Sequence, residues 1–124
     1  MNFKEKLKKT MHEYVRNVYH ITRDFPKEEL YGATSQLRRS TLSVILNYIE
    51  GFARRKPAIQ LNFFEISYGS LKESKYLLFF AKEEGWLQNK DYDIIIKLAE
   101  EIGAMLWTEI ASLDDSQKHK NTRT

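Results

Sequence analysis

The sequence predicts an all-α protein, an antiparallel up-down-up-down four-helix bundle, on three observations. Glycine and proline are scarce, at five and two of 124 residues, and no Val/Thr-rich alternating run stands between turn signals, so strands have no support. Apolar residues recur by threes and fours through four long segments. The connections between those segments are short, which favours antiparallel neighbours.

The first helix is predicted from Phe3 to Asp24, with Phe3, Leu7, Met11, Tyr14, Val18, Ile21 and Phe25 on one stripe. It stops before Pro26, because the residue preceding proline is pushed out of the α region. In FPKEELYG, Pro26 opens a short helical turn, and Gly32 is expected to take a backbone angle that other residues resist. The second helix runs from about Thr34 to Arg54, and Pro57 marks a break. The third spans about Ala58 to Glu84 and ends at Gly85, suited to a left-handed cap. Asn89 or Gln88 then caps a fourth helix that runs to about Leu113. Residues 1–113 form a single domain, and DDSQKHKNTRT, 114–124, lacks an apolar period and is expected to fray.

Apolar residues wrap further round three of these helices than one core face needs. In the second, Leu37, Thr41, Leu42, Val44, Ile45, Leu46, Tyr48, Ile49 and Phe52 cover over half the circumference. In the third, Phe63, Ile66, Ser67, Ser70, Leu71, Ser74, Leu77, Leu78 and Ala81 form the core arc, leaving Leu61, Tyr68, Tyr76, Phe79 and Phe80 elsewhere. The fourth has a core arc of Tyr92, Ile95, Ala99, Ile102, Leu106 and Ile110, with Ile94, Leu98, Met105 and Trp107 outside it. A monomer would expose more apolar surface than soluble proteins usually show, so the pattern predicts a homo-oligomer, with Leu46, Ile49, Tyr68, Tyr76, Phe79 and Phe80 at its interface.

The formal charge of +3 is unevenly placed. Residues 1–57 hold twelve Lys and Arg against six Asp and Glu, a net of +6, whereas residues 58–113 hold five against nine, a net of −4. This asymmetry predicts an anionic partner for the first half, or docking of one half on another copy's second half. There is no cysteine, which removes disulfides, thiolate metal sites and cysteine nucleophiles together. With no export signal and no apolar run of spanning length, the expected compartment is the cytoplasm and no membrane partner is expected.

A polar line runs along the second helix through Gln36, Arg39, Ser40, Ser43, Asn47, Glu50 and Arg54. A solvated face is normally dominated by long Glu and Lys, yet the centre here is serine and asparagine. Short polar side chains let another backbone come close and need hydrogen-bond partners when covered. Gln36, Arg39, Ser43, Asn47 and Glu50 are therefore expected to form a hydrogen-bonding seam with another helix or subunit.

At these residues the chain resembles a known family. DFPKEELYGATSQLRRSTLSVILNYIEGFARR, ISYGSLKES and AKEEGWL carry Phe25, Pro26, Glu28, Glu29 and Gly32, then Ser35, Gln36, Arg38, Arg39, Ser43, Asn47, Glu50 and Gly51. Further on they carry Gly69, Ser70, Glu73, Gly85, Trp86 and Leu87. Together these are similar to the bacterial intervening-sequence proteins, whose founding genes lie within inserts in large-subunit ribosomal RNA genes. The resemblance covers about Tyr14 to Leu113. Where that family usually reads Ile-Pro-Ser-Asn-Ile-Ala-Glu-Gly, this chain has Val44, Ile45, Leu46, Asn47, Tyr48, Ile49, Glu50 and Gly51, and the missing proline predicts a straighter helix. The resemblance implies an antiparallel four-helix bundle forming a ring-like homopentamer, without known catalytic activity. Nucleic-acid binding is the role usually suggested, and a distantly similar bundle serves retroelement reverse transcriptases as an accessory subunit.

Three function classes follow. For RNA or DNA binding, Lys9, Arg16 and Arg23 recur every seven residues, about 10 Å apart along a helix, a row that can follow a phosphate backbone. Arg38, Arg39, Arg54, Arg55 and Lys56 extend it, while Glu5 and Glu13 interrupt it. The alternative is a protein-interaction or scaffold subunit with no nucleic-acid contact, using the surplus apolar surface. An enzyme is disfavoured: His12, His20 and His119 belong to no metal or nucleophile motif, and Glu50, Glu65 and Glu73 lack the paired histidine of bundle metal sites. No catalytic residue, metal, cofactor or small-molecule substrate is inferred.

Overall fold

The structure, a computed structural model, describes residues 1–122, with side chains as far as residue 118. Helix α1 spans Phe3–Thr22, followed by a 3₁₀ turn at Lys27–Glu29. Helices α2, α3 and α4 span Ala33–Phe52, Pro57–Glu83 and Asn89–Thr122. Each helix packs against the next, and α4 closes back on α1, giving a four-helix bundle. Contacts between consecutive helices run in opposite directions. Lys4 lies over Phe52 while Arg38 reaches back to Thr22, and Ser43 meets Ser70 while Tyr48 meets Phe64. Tyr68 meets Trp107 while Lys82 lies over Tyr92.

The ends of the helices follow local chemistry. Asn2 accepts the Glu5 N–H at 2.8 Å, satisfying one orphan donor at the start of α1. That helix closes at Thr22, earlier than Asp24, because Asp24 and Phe25 donate to Ile21 and Thr22 at 3.3 and 3.2 Å in a tighter final turn. Gly85 has φ +79, the left-handed cap expected of it. Gly32 has φ −114 and ψ −114, outside the usual helical and extended regions, and its small size also leaves room for Glu29. A Cβ there would stand 3.2 Å from Glu29 Oε1, the atom that accepts the Ala33 N–H at 3.3 Å. Helix α4 continues to Thr122, past the expected end at Leu113. Its apolar period marks the buried part, while the polar continuation has no glycine or proline to stop it and gains an Asp114–Lys118 pair at 3.6 Å.

The core is one cluster drawn from all four helices, with Leu7, Met11, Tyr14, Val18, Leu37, Val44, Tyr48, Phe64, Leu71, Leu78, Ile95, Ile102 and Leu106 within it. Phe25 and Leu87 close one end of it from the connecting segments. In α3 the buried line runs through Phe64, Ser67, Leu71, Ser74, Leu78 and Ala81, so Phe64 replaces the expected Phe63 and Ile66. These positions alternate three and four residues apart, a period of 3.5, and drift from a 3.6-residue projection by about 20° per heptad. Over 27 residues the drift carries Ile66 to the surface. At the centre, the hydroxyls of Tyr14 and Ser74 lie 2.7 Å apart across the bundle. Ser74 donates to the Leu71 carbonyl, so the Tyr14 hydroxyl is the donor to Ser74.

Candidate nucleic-acid and assembly surfaces

The α2–α3 contact is built from small residues. Ser67 donates to the Val44 carbonyl at 2.6 Å, which requires the α3 side chain to touch the α2 backbone. Ser40 is buried beside this line, and a Cβ on Gly51 would stand 2.5 Å from Phe64 Cε1. On its outer edge the Ser43 and Ser70 hydroxyls are 2.7 Å apart, and Asn47 Nδ2 donates to Ser43 Oγ and to the Ser43 carbonyl, both at 2.9 Å. Ser43 of the expected seam thus meets α3 of the same chain, and Asn47 bonds back to Ser43 within α2. The other members behave differently. Glu50 pairs along α2 with Arg54, Arg39 reaches only Ser35 at 3.4 Å, and Gln36 is exposed.

Among the basic residues, Lys9, Arg16 and Arg23 are all exposed along the outside of α1, with Arg23 still in helical conformation at the cap. None of the three takes part in an ion pair among the described residues. Glu13, Arg16, Asn17 and His20 line a shallow open depression beside the row. Arg38 is different: its Nε donates to Thr22 Oγ1 at 2.8 Å and its guanidinium stands 4.9 Å from the Tyr19 ring centroid, tying α2 to α1. Arg54 is engaged with Glu50 and with the Phe63 ring, while Arg39, Arg55 and Lys56 are exposed. Because α1 adjoins α2 and α3 adjoins α4, the charge imbalance between the two halves of the sequence becomes an imbalance between two sides of the bundle.

Four of the six residues expected at an oligomer interface stand well out in solvent: Leu46 at 58%, Ile49 at 47%, Tyr76 at 63% and Phe79 at 42% exposed. Tyr68 and Phe80 are half-buried. Tyr68 packs 5.5 Å from Trp107 between ring centroids, with Lys72 over its ring, and Phe80 packs 5.7 Å from Trp86. Ile59, Ile66, Ile94 and Trp107 add exposed apolar surface on α3 and α4.

Sequence reasoning missed a pocket at the end of the bundle where α1 begins. There Tyr48 donates to Glu109 Oε1 at 2.6 Å. Burial pushes both groups up in pKa; the hydrogen bond and negative charge of Glu109 raise Tyr48 further, while Tyr48 and Lys4 partly offset the shift at Glu109. Both residues lay in arcs read as core or left unassigned, and no local spacing pairs residues 61 positions apart. Among the described residues there is no cluster of three or more His, Cys, Asp or Glu able to hold a metal, and the side chain of His119 lies outside them. No described helix is long and apolar enough to cross a membrane.

These features define a class: a four-helix bundle with a close, serine- and glycine-lined contact between its second and third helices and a basic first helix. The chain belongs to the family described as 23S rRNA-intervening sequence proteins, whose family model matches residues 4–108. A crystal structure of a protein of unknown function from the S23 ribosomal protein family of Bacteroides thetaiotaomicron is similar in fold, with a TM-score of 0.82 at 19% identity. The match covers 89% of this chain and 99% of that one. No curated protein matches the chain.

Proposed function

We propose that this chain is a non-catalytic, cytoplasmic subunit that assembles into a ring-like homo-oligomer and binds RNA or DNA through the outer face of α1. The observation that carries the binding is the exposed row of Lys9, Arg16 and Arg23, unpaired among the described residues. Arg39, Arg55 and Lys56 extend the positive side, and Arg38, held by Thr22 and Tyr19, contributes charge without reaching outward. Phosphates spaced along a strand can engage such a row as point charges, independent of base sequence.

Assembly in this reading places Leu46 and Ile49 of one copy on the Tyr76 and Phe79 face of the next. Two different patches make a head-to-tail contact, which closes into a ring when the rotation allows. The family resemblance favours five copies. A ring repeats the α1 row, so weak contacts at each copy add up to retention.

Glu5 and Glu13 within the row favour a second reading, a scaffold subunit that touches only protein. Salt separates the two, since phosphate contacts weaken steeply with ionic strength and apolar ones do not. In a gel-shift titration with single-stranded and duplex RNA and DNA, Lys9→Glu, Arg16→Glu and Arg23→Glu together should abolish retention while leaving the assembly intact. Retention equal to that of the unaltered protein would remove this face from the account.

A further inference from the structure

The pocket at the start of α1 has a volume of about 420 Å³, within the range of about 300–1,000 Å³ that takes small ligands. Phe3, Phe52, Phe64 and Leu113 supply apolar walls, and Lys4 and Glu109 are its two charged residues. The two do not form an ion pair with each other: no Lys or Arg nitrogen among the described residues lies within 4.0 Å of Glu109. Glu109 has one hydrogen bond, from Tyr48, and burial raises its pKa, the sign of a carboxylate whose charge is under-compensated. Lys4 instead holds its ammonium 4.2 Å from the centroid of the Phe52 ring. Cation binding is therefore already on display here, performed by a flexible side chain of the exposed first turn.

Two of the neutral polar groups, Gln60 and Thr108, offer acceptor oxygens to such a cation. Gln60 gives one of its two amide N–H groups to the Arg54 carbonyl at 2.9 Å, and Thr108 donates its hydroxyl proton to the Ala104 carbonyl at 3.0 Å. Thr108 keeps acceptor capacity alone, Gln60 keeps its carbonyl oxygen beside a second amide N–H, and both oxygens can take an N–H donor.

We propose that this pocket binds a small organic ammonium with an aromatic or aliphatic body, its charged nitrogen lying between the Phe52 ring and the Glu109 carboxylate where Lys4 now reaches. The body of the ligand replaces solvent against Phe3, Phe64 and Leu113. Lys4 then acts as a resident competitor that must swing out.

The test titrates the full chain at neutral pH with phenethylammonium, and in parallel with phenylacetate and phenethyl alcohol, which keep the size and change the charge. Calorimetry and chemical-shift changes should show saturable binding of the ammonium with a Kd of about 0.1–1 mM, and none of the carboxylate. Lys4→Met should tighten the ammonium about threefold or more by removing the competitor, and Glu109→Gln should weaken it about tenfold. Should Glu109→Gln fail to fold by its melting curve, Lys4→Met and the carboxylate control still decide. Phenylacetate binding as tightly as phenethylammonium, weaker ammonium binding by Lys4→Met, or no saturation by any of the three would overturn the proposal.

Discussion

Ser67 of α3 donates its hydroxyl to the carbonyl of Val44 on α2 at 2.6 Å, so side chain meets backbone where the two helices cross the middle of the bundle. Approach this close leaves no space for a methyl group at the matching point further along α2. A Cβ on Gly51 would lie 2.5 Å from Phe64 Cε1 and 2.8 Å from Cδ1, and Phe64 is 1% exposed with nowhere to turn.

Gly51→Ala should therefore destabilise the protein although alanine is the better helix former. Overpacking a core costs about 1–3 kcal/mol, against about 1 kcal/mol of helix propensity returned. Gly69→Ala is the control, since nothing stands within 4 Å of its Cβ, and it should raise stability by about 0.5–1 kcal/mol. Thermal melting of the two variants should move in opposite directions.

The adjacent arginines separate by role. Arg38→Ala removes a hydrogen bond to Thr22 and a cation–π contact with Tyr19, a loss of about 1–2 kcal/mol. Arg39→Ala, exposed and bonded only to Ser35 at 3.4 Å, should stay within about 0.5 kcal/mol of the parent. Urea denaturation of both reads the difference directly.

On the outer side of α2, Leu46→Glu with Ile49→Glu should leave the bundle folded, because both side chains are about half or more exposed and no core contact is lost. The same pair of changes should disperse the oligomer, because two carboxylates would be buried without partners at the proposed contact. Sedimentation velocity together with circular dichroism checks both halves of this prediction.

Glu109 carries a pH signature. Its folded pKa is raised above the ordinary 4.5, chiefly by burial, so over a window opening at that value the folded state binds more protons than the unfolded one. Stability contributed by protonated Glu109 is present below that value and is lost as pH rises through the folded pKa. Glu109→Gln removes this pH-dependent contribution. The melting temperature of the variant, relative to the parent, should therefore climb between acid and neutral pH.

The four helices and their punctuation were legible because each rests on local chemistry: Pro26 and Pro57, the left-handed Gly85, and apolar stripes at helical spacing. The core stripe of α4, Ile95 through Ile110, is legible for the same reason. Positions that depend on two helices at once were not. The choice of Phe64 over Phe63 is set by accumulated drift along α3, and the Tyr48–Glu109 pair joins residues that only the closed bundle brings together. Arg38 and Arg39 are indistinguishable as neighbours in sequence, yet one turns toward Thr22 and the other toward water. Along the polar line on α2, the centre faces α3 of the same chain at Ser70, while Gln36 and Arg39 are exposed, a division that depends on where α3 lies.

The mass of the native assembly at micromolar concentration tests the central claim most directly. A subunit of 14.7 kDa that hides Leu46, Ile49, Tyr76 and Phe79 against other copies should appear as one closed multiple of that mass, with five copies favoured. A stable species at 14.7 kDa, unchanged on concentration, would contradict it.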